Sequence, residues 1–248
     1  MKRISQVFCT SDIHGNSKAL YQCLVRSNFD LEVDTLIVLG DTVDGYPDTN
    51  NCFDILLSIK NLIYVQGNHD YWAYKWMVLG KQFKKKDYQE WHAWYYQGGQ
   101  KTVKSYGRDN SNVPASHRKL LRESPFYYID EKRGYLFVHG GYKPEKLIID
   151  HTIEYLIWDR SIIDVAREMR ANNELKGENN KLEPFREVYV GHTDISNISK
   201  VPVNIVNLWC MDTGAGFKGR LTFMNIDTKE IYQSDECKQL YGEYYENK

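Results

Sequence analysis

The chain has 248 residues, 42% hydrophobic and 14% aromatic, which allows a sizeable core and excludes a disordered polymer. A formal charge of -1 at pH 7 excludes general affinity for duplex nucleic acid or acidic membranes. Cys9, Cys23, Cys52, Cys210 and Cys237 are scattered with no Cys-x-x-Cys pair, which excludes a disulfide framework and a thiolate zinc site.

The chain opens with an expected strand over 4–10, leading to Asp12-Ile13-His14-Gly15-Asn16. A helix is expected over 17–27, with Leu20, Cys23 and Leu24 on one face. The strand over 35–39 leads to Gly40-Asp41-Thr42-Val43-Asp44, and a helix over 50–59 follows. A third strand, 62–66, leads to Gly67-Asn68-His69-Asp70. This βαβαβ order predicts a right-handed, largely parallel half-sheet. Residues 71–125 lose that rhythm and read as a helical cap beside the strand ends, with Trp72, Trp76, Trp91 and Trp94 as its core. Lys84–Lys86 read as a solvated helix face. Two short strands over 126–138 lead to His139-Gly140-Gly141. Residues 152–170 read mainly as helix and 172–181 as an exposed loop. The strand over 187–190 leads to Gly191-His192-Thr193, and further strands are expected over 203–209, 219–226 and 229–233. Residues 1–234 read as one domain and 235–248 as a loosely held tail. No apolar run approaches the ~20 residues of a membrane helix. The start, Met1-Lys2-Arg3-Ile4, carries no extended apolar signal region, so the expected location is cytoplasmic.

Groups just past the carboxyl ends of buried strands converge on one crevice. Here they are carboxylates, imidazoles and an amide carbonyl, enough to hold two divalent ions. Asp12 and His14 share one side of an extended segment and can ligate one ion. Asp41 can bridge, and Asn68, His139 and His192 can complete the second ion's shell. Two bridged metals ~3.5–4 Å apart generate hydroxide near neutral pH and clamp phosphoryl oxygens. An oxygen and nitrogen set favours manganese, iron, zinc or cobalt over calcium; manganese is the first expectation, with iron, zinc or cobalt as alternatives. His69, next to a ligand, can protonate a leaving oxygen, and Asp44 can orient it. Asp212 is either a partner of a metal-bound His or a turn Asp before Gly214. His92, His117 and His151 fall outside these motifs.

Asp12-x-His14, Gly40-Asp41-x-x-Asp44, Gly67-Asn68-His69-Asp70, His139-Gly140-Gly141 and Gly191-His192-Thr193 resemble the calcineurin-like metallophosphoesterases in type and order. Gly98-Gly99-x-x-Thr102-x-x-Ser105-Tyr106, Ile157-Trp158-Asp159-Arg160 and Asp212-Thr213-Gly214 are similar to the bacterial and phage serine/threonine protein phosphatases. The resemblance runs from about Ser11 to Thr222. It implies a four-layer αββα sandwich of mixed sheets with the dimetal site at one edge, the ligand roles above and the His69–Asp44 acid pair. It also implies that Arg160 grips the substrate phosphate, a job suited to its planar fork. One departure stands out. That family carries Arg directly after the second Asp of Gly-Asp-x-x-Asp, and here the position is Gly45. Loss of a fork donor weakens the grip on a monoester dianion more than on a diester monoanion. Lys143 or Lys75 is a candidate replacement.

The expected function is therefore dimetal phosphoester hydrolysis, first as a serine/threonine-type protein phosphatase acting on a phosphorylated protein or small phosphoester. The alternative is a nucleotide-directed phosphoesterase, acting on a dinucleoside polyphosphate or on a cyclic or other diester. The Trp-rich cap offers stacking surfaces for it. A phospho-ligand binding module without turnover is the rival of another class, and a nuclease of the same fold a further one. Neither a membrane nor a general duplex partner is expected.

Overall fold

Alternation along the strands decides which layer each side chain enters, because successive side chains point to opposite faces. The computed structural model describes residues 4–81, 88–171 and 182–242. In it β1 (Val7–Thr10), β2 (Thr35–Val38) and β3 (Asn61–Tyr64) run parallel. Antiparallel β9 (Thr222–Asn225) and β10 (Ile231–Gln233) extend them into a sheet of order β10-β9-β1-β2-β3. Phe8, Leu36 and Val38 point outward, onto α1 (Ser17–Arg26) and α2 (Thr49–Leu57), where Leu20, Cys23, Phe53 and Leu56 meet them. Cys9, Ile37 and Leu39 point inward.

The second sheet has the order β4-β5-β6-β8-β7, from β4 (Tyr127–Asp130), β5 (Tyr135–Val138), β6 (Glu187–Val190), β7 (Val203–Ile205) and β8 (Leu208–Cys210). Its central β5, β6 and β8 are parallel. Leu136, Val138, Val188 and Val190 face outward onto α8 (Ser161–Ala171), through Ile162, Ile163, Ala166 and Met169. Phe137 and Tyr189 face inward, stacked with centroids 4.7 Å apart, and meet Cys9, Ile37 and Met224 of the first sheet. The result is the αββα sandwich, with one apolar layer between the sheets and one outside each.

Three sequence expectations change. The strand over 203–209 is a hairpin: Val206, at φ 61, breaks it, an unfavourable conformation for a β-branched residue. The helix over 152–170 divides into α7 (Ile153–Trp158) and α8, because Asp159 is extended, at φ -67 and ψ 142. Its carboxylate accepts from Ser161 Oγ at 2.9 Å, at the start of α8. The expected loose tail is held over its first part. Residues Cys237–Leu240 form a short helix, α9, and Tyr241 is buried with its hydroxyl donating to Asp48 at 2.6 Å. Residues 243–248 lie outside the described residues, as do Lys84–Lys86 and residues 172–181, where a loop is expected. No described helix is long and apolar enough to cross a membrane.

The aromatic stretch is helical where described. α3 (Asn68–Met77), α4 (Tyr88–Trp94), a π turn (Tyr95–Gly99), α5 (Gln100–Ser105) and α6 (Ala115–Glu123) pack beside the first sheet. The π turn and the start of α5 reach the strand ends.

Candidate dimetal active site

Parallel pairing puts the carboxyl ends of β1, β2 and β3, and of β5, β6 and β8, at common edges. The turns that leave them are left-handed at non-glycine residues: Asp12 (φ 51), His14 (φ 49), Asp41 (φ 49), Asp44 (φ 71) and His192 (φ 62). Each such residue costs on the order of 1–3 kcal/mol, which persists only where surrounding contacts over-determine it. Those contacts are visible. Asp12 N donates to Gly40 O at 3.1 Å and His14 N to Asp41 O at 2.8 Å. Buried Asp70 accepts from Asp41 N at 2.7 Å, Thr42 N at 3.1 Å and Gly67 N at 3.1 Å. Sequence reasoning gave Asp70 no role; its signal was an acid at the third position of α3, where it can bond back to the helix start. Gly67 is required by close approach, since a Cβ there would lie 2.1 Å from Asp41 Oδ1.

Carbonyl partners fix the imidazole tautomers, because a carbonyl only accepts. His139 Nδ1–H donates to Leu39 O at 2.6 Å, so Nε2 faces Asn68 Oδ1 at 2.9 Å and Asp41 Oδ2 at 3.3 Å. His14 Nδ1–H donates to Val43 O at 3.1 Å, leaving Nε2 3.9 Å from Asp41 Oδ2 and 4.0 Å from Asp12 Oδ1. Asp12 is held by the Ser11 hydroxyl and by His192 N at 3.0 Å. His192 Nε2 is buried with no hydrogen-bond partner. An orphaned ring nitrogen, two inward-facing Nε2 atoms and oxygen donors between them fit divalent cations. Asp41, His139 and His192 lie within one ion's reach, and His14, Asp41 and His69 within another's. Asp41 belongs to both groups. All six candidate ligands are thus brought together, with His69 closer to them than the sequence alone suggests.

Burial pushes His14 down to about 4 and His192 down to about 2, keeping both neutral as ligands must be. Burial also disfavours the Asp41 carboxylate, but His139 and His69 beside it hold it ionised, well below the ordinary range. Asp12 is pushed up to about 6 by burial, with His139 opposing. Burial pulls His69 down, yet Asp41 and Asp44 hold it up at about 9.

His69 Nδ1 lies 2.7 Å from Asp44 Oδ2, the arrangement expected of an acid and its orienting carboxylate. Two cap residues complete it. Trp94 Nε1–H donates to Asp44 Oδ2 at 2.8 Å, and Thr102 Oγ1–H donates to Oδ1 at 2.7 Å. Burial pushes the Asp44 carboxyl up, and these donors draw it back toward the ionised form. The sequence offers Trp94 as cap core, or as a stacking surface, and not as a partner of Asp44; the missed signal is that a buried indole N–H needs an acceptor. For Trp94→Phe we expect turnover to fall roughly 10-fold with the fold kept. Steady-state kinetics beside circular dichroism checks this, and an unchanged kcat would leave Trp94 a packing residue only.

A cleft of about 850 Å³ opens over the candidate ligands. Arg160, exposed at the α7–α8 break, lines it with Lys101 of α5. Lys75 and Lys143, the replacements expected for the missing arginine, do not line it: they stand over the rings of Tyr71 at 4.7 Å and Tyr155 at 5.4 Å. Gly45 sits at φ 66, and a Cβ there would lie 3.0 Å from that of His14, so a longer side chain is strained. Asp212 Oδ1 accepts from Gly214 N at 2.9 Å, the turn role. Trp158 packs edge-on to His192 at 5.7 Å and to Trp72 at 4.9 Å, forming an aromatic wall at one end.

The family profile described as calcineurin-like phosphoesterase matches residues 5–219. A symmetrical bis(5'-nucleosyl)-tetraphosphatase of Wigglesworthia glossinidia brevipalpis is 23% identical over 194 residues, 78% of this chain. The chain spans only 60% of that relative's length. Serine/threonine-protein phosphatase 1 of Salmonella typhimurium is 23% identical over 91% of this chain and 94% of its own. Among solved structures, one described provisionally as a diadenosine tetraphosphatase superposes with a TM-score of 0.65 at 17% identity, over 92% of both chains. At that identity the likeness speaks to the fold.

Proposed function

The chain belongs to the calcineurin-like phosphoesterase family, and from that premise we propose that it is a phosphoester hydrolase that cleaves nucleoside polyphosphates, dinucleoside polyphosphates first. The supporting observation is the rim of the cleft. Tyr96 (67% exposed), Phe217 (61%) and Trp158 (37%) all line it. Exposed rings beside a phosphate site suit bases, which stack on aromatic faces without regard to sequence. A phosphoserine side chain has no ring to place there. Gly45 points the same way, because the fork that grips a terminal dianion is missing beside Asp44.

Asp12, His14, Asp41, Asn68, His139 and His192 would hold two divalent ions, manganese first. When bound, such ions acidify water and neutralise phosphoryl oxygens. Arg160 holds a non-bridging oxygen of the attacked phosphate, and its planar fork accommodates the charge gathering there. His69 gives its Nε2 proton to the departing oxygen while Asp44 keeps the ring turned toward it. Trp158, backed by Trp72, walls the His192 end of the cleft.

Diadenosine tetraphosphate, a phosphoserine peptide and p-nitrophenyl phosphate, each with manganese, separate the readings. We expect the tetraphosphate to show the highest kcat/KM. A higher value for the peptide would overturn the nucleotide reading. It would favour the second one, a serine/threonine-type protein phosphatase, for which the end-to-end match with the Salmonella enzyme speaks.

A further inference from the structure

One short segment forms the cap side of the cleft. Between α4 and α5 the π turn is broken at Gln97 and at Gly98, whose φ is 115. Gly98 presses on the position that lacks the arginine: a Cβ on it would lie 2.7 Å from Gly45 N. The segment therefore approaches Gly45 as closely as backbone allows, and it brings Tyr96, Gln97, Gln100 and Lys101 to the cleft, of which Tyr96 carries the ring and Lys101 the charge. Tyr96 is 67% exposed, an unusual setting for a ring, yet it is not loosely placed. The His92 ring lies 4.3 Å from it at 38°, and the Tyr95 ring stands nearly perpendicular to it at 5.6 Å, which restrains the ring while most of it stays open to solvent. Lys101 is half-buried, and with Arg160 it is one of two Lys or Arg side chains among the described residues of the cleft lining.

We propose that Tyr96 and Lys101 form a nucleoside-diphosphate subsite, Lys101 holding a phosphate next to the attacked one and Tyr96 stacking the base. This deepens the nucleotide reading above and rests on it. The chemistry suits both side chains. An ammonium is a compact charge with three rotatable donors that can donate to a phosphate oxygen from many directions, which suits a flexible polyphosphate chain. Arg160, at the α7–α8 break, serves the attacked phosphate, so the second cation of the lining, on the cap segment, is left for the next one. A ring already restrained by His92 loses little freedom when a base stacks on it.

Dissociation constants of ADP and of inorganic pyrophosphate, measured by titration calorimetry on the manganese-loaded protein, test it, because the two ligands differ by the nucleoside alone. In the unaltered protein ADP should bind more tightly. Tyr96→Leu should weaken ADP about tenfold and leave pyrophosphate unchanged, and Tyr96→Trp should restore the difference. Lys101→Met should weaken both ligands about tenfold, with Lys101→Arg recovering most of it. Equal affinity for ADP and pyrophosphate in the unaltered protein, or a Tyr96→Leu effect shared by both ligands, would overturn the subsite. If the protein cleaves phosphopeptides but no dinucleoside polyphosphate, the nucleotide reading itself falls, whatever the variants do.

Discussion

Asp41→Asn should lower turnover on every phosphoester by on the order of 10³-fold or more, and should lower bound metal with it. The expectation comes from position. Asp41 Oδ2 lies 3.3 Å from His139 Nε2 and 3.9 Å from His14 Nε2, so one oxygen faces both groups of candidate ligands. Asp41 alone is shared by the two His/Asp groups found among the described residues. Oδ1 meanwhile accepts from His69 N at 2.9 Å and helps hold the start of α3. An amide keeps that acceptor oxygen, so the turn survives, but it removes the charge and replaces one ligating oxygen by a donor. The substitution therefore acts on metal binding more than on folding. Elemental analysis, thermal unfolding and turnover measured on one preparation check it, with Asp212→Asn as a comparison. Full metal content with activity within tenfold of the unaltered protein would remove Asp41 from its bridging place.

The strand-end motifs were legible because their chemistry is local. A turn that leaves a strand at positive φ selects Asp, Asn, His or Gly, and the apolar run before it marks the strand, so Asp12, Asp41 and His192 announce themselves. The layers were legible for a similar reason: alternation in Val188-Tyr189-Val190 sends Val outward and Tyr between the sheets. Contacts across long stretches of chain were not. Trp94 reaches Asp44 over 50 residues, and neither local sequence shows it. Which lysine meets the cleft depends on how the cap lies against the strand ends. Lys75 sits on α3 beside the motif yet leans on Tyr71, whereas Lys101 is delivered by a π turn that periodicity does not reveal. The break at Asp159 is intermediate. An Asp two residues before Ser161 is a helix-start signal, but it lies inside a pattern that otherwise reads as one helix.

His69→Asn separates two roles that the geometry allows the same imidazole. His69 shares one ion's reach with His14 and Asp41, and its Nδ1 is committed to Asp44 at 2.7 Å. An acid and a ligand both use Nε2, so distance alone does not choose. Leaving groups do. A proton donor matters most when the departing oxygen is strongly basic and least when it is a stable anion. If His69 is the acid, His69→Asn should lower kcat on phenyl phosphate by roughly 10²–10⁴-fold. The loss on p-nitrophenyl phosphate should be far smaller, and metal content should stay unchanged. A ligand role gives the opposite pattern: metal falls and both substrates suffer alike. Asp44 sharpens the comparison, because its carboxylate keeps Trp94 and Thr102 as donors after the imidazole is gone and the wall of the cleft stays in place. Asp44→Asn should then reproduce the same leaving-group dependence in weaker form, since the ring would remain but lose the partner that turns it toward the departing oxygen.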